Sequence, residues 1–138
     1  MKKKNEKGQV AIEYLVMVVF LLMVVSLAAA YALFTYYETI RVNQGRNVVF
    51  KLGKAADQTY ALGPDNSIFV EVLLPAGIQV GSTAQGKEIT YKIQMYGGVS
   101  DFVYGTKGNI TPTNLPINEG VHIFQIKVVD ENITITEV

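Results

Sequence analysis

The chain carries two incompatible hydrophobic rhythms, and the place where one gives way to the other divides it. Residues 10–37 are almost continuously apolar, and 15–34 hold no charged side chain at all. Beyond them the apolar positions thin to a helical stripe: Ile40, Val48, Leu52, Ala55 and Tyr60 recur at intervals near three and four or their multiples. Arg41, Asn43, Gln44, Arg46, Lys51, Lys54 and Asp57 lie between them. That spacing predicts an amphipathic helix. Gly63, Pro64, Asp65 and Asn66 end it, because proline cannot extend a helix and glycine suits the position after one. One long helix over 9–62 is therefore expected. Gly45 and Gly53 lie inside it, each costing up to about 1 kcal/mol relative to alanine, so a kink or a close helix contact is expected there.

From Ser67 the period changes to two. Ile68, Val70, Val72 and Leu74 alternate with Phe69, Glu71 and Leu73, and Pro75, Ala76 and Gly77 then turn the chain. Ile89, Tyr91, Ile93 and Met95 form a second alternating run, ended by Gly97 and Gly98; residues 102–104 are a short candidate. His122, Phe124, Ile126 and Val128 form another, separated by Asp130 and Glu131 from Ile133 and Ile135. Four good strands and two weaker ones with short turns predict an antiparallel sheet or small sandwich over 67–138. The fold class is α+β: a long N-terminal helix followed by a small β domain.

The apolar block is long enough to span a bilayer, since about 20 helical residues at roughly 1.5 Å each cover the roughly 30 Å hydrocarbon core. Lys2, Lys3, Lys4 and Lys7 all precede it. Basic residues before a span hold that end in the cytoplasm, so the β domain is expected outside. Tyr31, Tyr36 and Tyr37 mark the outer end, where interfacial aromatics gather.

Over the whole chain 12 basic residues balance 12 acidic ones, and no basic stripe lies outside the first residues. Nucleic-acid binding therefore has no electrostatic footprint. Without cysteine there is neither a disulfide framework nor a cysteine zinc site, and a lone histidine, His122, supplies no histidine cluster. His122 continues the alternation of Phe124 and Ile126, which makes it a core or sheet-face residue. Tyr60, Tyr91, Tyr96 and Tyr104 are expected on the core or a sheet face as well. No nucleophile triad, phosphate loop or metal spacing is present. No catalytic residue, cofactor or metal is expected, and the chain is read as a non-enzyme.

Glu13 is the informative exception in the apolar run. A carboxylate near lipid either stays wet among headgroups or needs a positive partner. Cleavage between Gly8 and Gln9 would give Gln9 a new α-amino group and make Glu13 the fifth residue. An amine offered by a neighbouring, axially shifted chain would then satisfy Glu13 and set the register of assembly. The same cleavage removes the four lysines and Glu6, leaving the remainder acidic.

The stretch Gly8, Gln9, Val10, Ala11, Ile12, Glu13, Tyr14 resembles the processing site of archaeal class III signal peptides, which belong to the type IV prepilin group. Gln9, Glu13 and Tyr14 match the family pattern; Ala11 departs from it, where serine is usual. The resemblance covers roughly the first 35 residues. It implies a leader over 1–8 cut by a membrane prepilin peptidase. It also implies a homo-oligomeric helical filament with helices bundled inside and β domains outside, made for adhesion or cell contact. The precursor would sit in the cell membrane with its N-terminus inside, and the mature subunit in an extracellular filament.

Three rivals remain at this level. Ser26, Leu27, Ala28, Ala29 and Ala30 resemble an ordinary secretory cleavage site, which would start the mature chain at Tyr31 as a secreted enzyme or hydrolase module. The segment would otherwise serve as an uncleaved single-pass anchor for a domain that never polymerises. The third rival is a minor pseudopilin of a secretion-type system. Two N-x-T sequons, at Asn109 and Asn132, are candidate glycan acceptors on an exported domain. Asn132, in an expected turn, is the better of the two, because Pro112 follows the first.

Overall fold

A computed structural model describes residues 3–84 and 86–138, with the side chains of residues 3–7 and of Ala84 left aside. Met1 and Lys2, the start of the expected leader, lie outside the described residues. Helix α1 spans Lys3–Leu62, and the chain divides into two compact units, Met1–Tyr37 and Glu38–Val138. The fold is α+β, as the change of period predicts. The helix stops where glycine and proline require: Gly63 takes φ +83°, and its N–H donates to Tyr60 O at 3.2 Å.

In the second unit the strands are β1 (Ser67–Leu74), β2 (Ile78–Ala84), β3 (Gly86–Met95), β4 (Gly98–Ile110), β5 (Thr113–Asn114), β6 (Gly120–Val129) and β7 (Asn132–Glu137). They form one seven-stranded sheet in the order β1-β6-β7-β4-β3-β2-β5, so the alternative of a sandwich is set aside. Neighbours are antiparallel except β4 and β7, which run parallel over Asn109↔Asn132 and Ile110↔Ile133. Two strands escape the alternation. β2 is interrupted by a register shift between Ile78 and Val80, and Gly81, Ser82 and Thr83 supply no apolar rhythm. β4 runs far beyond the expected 102–104, because its glycines and its lysine hide it from a pattern of apolar residues.

The core forms between the inner sheet face and the helix residues of this unit. Leu52, Ala56, Ile89, Tyr91, Ile93, Phe124, Ile126, Ile133 and Ile135 are fully buried. The buried helix stripe is Gly45, Val48, Val49, Leu52, Gly53, Ala55, Ala56 and Thr59. Tyr60, expected in that stripe, is 42% exposed: the stripe turns past it to Thr59, whose hydroxyl donates to Ala55 O at 2.8 Å and so needs no other partner. Of the other tyrosines, Tyr91 is buried and Tyr96 exposed. Gly45 and Gly53 mark close contacts with the sheet, rather than the kink or helix contact expected. A Cβ at 45 would strike Ile93 and Phe102, and one at 53 the ring of Tyr104. Alanine's helix advantage is forgone so that the sheet can approach the helix backbone.

The helix residues of this unit also grip the sheet through polar contacts. Glu38 accepts from Tyr96 N–H at 2.7 Å. Arg41 donates to Ala76 O at 2.7 and 3.1 Å and to Gln94 O at 3.0 Å, holding the β1–β2 turn to the end of β3. Lys51 donates to Glu71 O at 2.6 Å on edge strand β1, which covers one group of an otherwise open edge. Asp57 accepts from Lys107 N–H at 2.8 Å and from Tyr104 Oη–H at 3.0 Å.

The hairpin joining β6 to β7 has a two-residue loop, since Val129 pairs with Asn132. Asp130 and Glu131 take φ +48° and +65°. Both central residues of such a turn are left-handed, and Asn-Gly suits it best. A side chain there costs roughly 1–2 kcal/mol.

Candidate functional site

The segment that sequence reasoning singles out lies in the first unit. From Val10 to Tyr37 every residue is exposed, although nearly all are apolar. Its most apolar 18-residue stretch has a mean hydropathy of 2.7 and none of it is buried. By length and composition the helix is capable of crossing a membrane. Its two aliphatic hydroxyls are satisfied within the helix: Ser26 Oγ donates to Leu22 O at 2.8 Å and Thr35 Oγ1 to Tyr31 O at 3.0 Å. Each is an i→i−4 bond that needs no water, as an apolar surround requires.

Glu13 is the one charged side chain between Val10 and Tyr37, and among the described residues it forms no hydrogen bond or ion pair. Gln9 sits one turn before it, at the i, i+4 spacing that places both on one helix face. Tyr14 follows on a neighbouring face and is exposed as well. Gly8 is exposed, and a Cβ built there meets nothing within 4 Å. The fold therefore has no packing need for glycine at this position.

No family model, curated protein or solved structure matches this chain.

The two sequons lie in the second unit as immediate neighbours. The parallel register sets Asn109 beside Asn132 and Ile110 beside Ile133, and the hydroxyls of Thr111 and Thr134 stand 3.5 Å apart. The repeated Asn-Ile-Thr thus forms a ladder with both isoleucines in the core. Asn109 is exposed on β4. Asn132 opens β7, is half-buried, and donates from Nδ2 to Asp130 O at 3.1 Å. Among the described residues no hydrogen bond engages the Asn109 carboxamide.

His122 lies on the sheet face expected of it. Its ring stacks on Phe124 with centroids 6.4 Å apart; Nδ1 meets Glu137 Oε1 at 2.5 Å, and Nε2 donates to Asn118 O at 2.9 Å. These bonds tie β6 to the end of β7 and to the preceding loop. Among the described residues no group of three or more His, Asp or Glu side chains is placed to hold a metal.

Two phenols are shifted. Burial, and then the charge of Glu137, push the Tyr91 hydroxyl well above the usual phenol range; it donates to Pro116 O at 3.3 Å. Tyr104 is raised by desolvation first, then by its hydrogen bond to Asp57 and that carboxylate's charge. Sequence reasoning did not single out the polar grips of Glu38, Arg41, Lys51 and Asp57, because polar residues on a helix exterior read as a solvated face. Asp57 and Lys107 are 50 residues apart, and no spacing rule links them.

Proposed function

We propose that the chain is the structural subunit of a type IV pilus-like surface filament, inserted first as a membrane precursor and polymerised through its N-terminal helix after cleavage between Gly8 and Gln9. The observation that carries this reading is an unburied apolar helix bearing one carboxylate, Glu13, that is unpaired among the described residues and lies five residues beyond an open glycine. Lipid can cover such a surface, and so can the same surface of other copies, since packed side chains and acyl chains solvate leucine and valine alike. Lipid offers Glu13 no fixed positive partner; the freed amine of Gln9 on a neighbouring copy does. The resemblance of residues 8–14 to class III processing sites points the same way. In this reading the chain catalyses nothing, and its partners are further copies of itself, the prepilin peptidase and, before assembly, the membrane.

The test is assembly. In the native host, filaments sheared from the cell surface are imaged and their yield compared between wild type and Glu13→Ala. The expected result is filaments containing this chain in wild type and a large loss of them in the variant, with membrane-bound precursor and processed subunit still present. Wild-type filament yield from Glu13→Ala would remove the register role, and absence of the chain from any filament would remove the proposal.

A further inference from the structure

A polar depression opens at the end of the sheet where β4 and β7 run parallel. Its volume is about 360 Å³, inside the roughly 300–1,000 Å³ range of small-molecule sites. Five elements converge on it: Tyr60 from α1, Lys87 from β3, Lys107 and Asn109 from β4, the hairpin residues Asp130 and Glu131, and Asn132 from β7.

The lining is polar almost throughout, so an apolar ligand has nothing to bury there. Two lysines and two carboxylates balance in charge, which disfavours a bare cation and a bare anion alike. Yet among the described residues neither lysine pairs with Asp130 or Glu131. The parallel register sets Asn109 beside Asn132, and each carboxamide is able to donate and to accept. One Asn132 N–H is engaged by Asp130 O, which fixes that carboxamide at the rim. Ammonium donors, carboxylate acceptors and two carboxamides around a neutral hollow complement a ligand rich in hydroxyls.

The hairpin supplies an independent sign. Asp130 and Glu131 occupy two left-handed positions where Asn-Gly would hold the same turn more comfortably. Strained residues of this kind concentrate at functional sites, and both of these line the depression.

We propose that this depression binds a neutral saccharide, with Asp130 and Glu131 accepting from its hydroxyls, Lys87 and Lys107 donating to its oxygens, and Asn109 and Asn132 doing both. The site lies wholly within the second unit and stands whether or not the chain polymerises.

The test uses the full chain in a zwitterionic detergent without a sugar headgroup, applied to an array of immobilised neutral, amino and acidic glycans. Retention on neutral hexose glycans is expected; no retention, or retention on charged glycans alone, overturns the proposal. The double variant Asp130→Asn, Glu131→Gly separates site from scaffold, because it installs the preferred turn while removing both carboxylates. It is expected to melt at a higher temperature than wild type and to bind the retained glycan at least about tenfold more weakly, as loss of two charged hydrogen-bond partners implies. Undiminished binding by this variant contradicts the proposal. Should it melt lower instead, Asn109→Ala, at an exposed strand position, decides: weaker binding supports the saccharide site and unchanged binding overturns it.

Discussion

Tyr104 lies across Gly53 and donates its hydroxyl to Asp57 at 3.0 Å, one helical turn further on. The same carboxylate receives the Lys107 N–H from the same strand, and the Phe50 and Tyr104 rings meet in a T-shaped pair with centroids 5.5 Å apart. A glycine that weakens the helix locally is therefore the condition for the contact that docks β4 on it.

Gly53→Ala should destabilise the second unit although alanine is the better helix former. The propensity gain is at most about 1 kcal/mol, whereas overpacking against the Tyr104 ring costs about 1–3 kcal/mol. A net loss is expected in urea denaturation, with Gly45→Ala behaving likewise against Ile93 and Phe102. Unchanged or raised midpoints would show that the close approach does not hold in solution.

Arg41 and Asp57 anchor two separate places on the sheet. Arg41→Ala removes the donors to Ala76 O and Gln94 O, and Asp57→Ala leaves the Lys107 N–H and the Tyr104 hydroxyl without their acceptor. Each is expected to cost about 1–3 kcal/mol. With no shared partner, the two costs should add to within about 0.5 kcal/mol. Denaturation of both single variants and the double variant checks the sum, and strong coupling would mean that the anchors are not independent.

Alkaline pH should unfold the protein partly through Tyr91. Its folded phenol is held above the usual range by burial and by Glu137, so the folded form keeps a proton that the unfolded chain releases near pH 10. Its contribution to stability is complete below about pH 10 and declines as pH rises above that, at up to about 1.4 kcal/mol per pH unit. Tyr104 shifts in the same direction. Tyr91→Phe should flatten the decline of stability between pH 10 and 11. Equal slopes in the variant and wild type would contradict this assignment.

Gly8 is exposed, and among the described residues a Cβ added there meets nothing within 4 Å. Gly8→Leu should therefore leave the second unit as stable as in wild type and block removal of the leader, so that only the longer species accumulates in membranes. Normal trimming of Gly8→Leu would show that cleavage does not read this glycine.

The helix, its end at Leu62 and strands β1 and β6 were legible because one periodicity governs each over many residues. The alternation of Ile68, Val70, Val72 and Leu74 names the buried face of β1 correctly, and that of Phe124, Ile126 and Val128 does so for β6. β2 and most of β4 were not legible. Their inner positions include Gly81, Thr83, Thr106 and Gly108, which pack by being small or by bonding locally, so no apolar rhythm marks them. Tyr60 fits the helical spacing and yet leaves the core, because a threonine that bonds its own backbone fills the place beside it. Glu13 could be named from the sequence because a charge in an apolar run is conspicuous, whereas Gln9 and Tyr14 were named only through the resemblance to class III processing sites. The sequons could be found but not paired, since the parallel register of Asn109 and Asn132 is a property of the sheet alone.

The mature N-terminus tests the central claim most directly. Intact mass and N-terminal sequencing of the chain taken from the cell surface should give a species beginning at Gln9, with residues 1–8 gone. A surface species that keeps Met1, or one that begins at Tyr31, would contradict it.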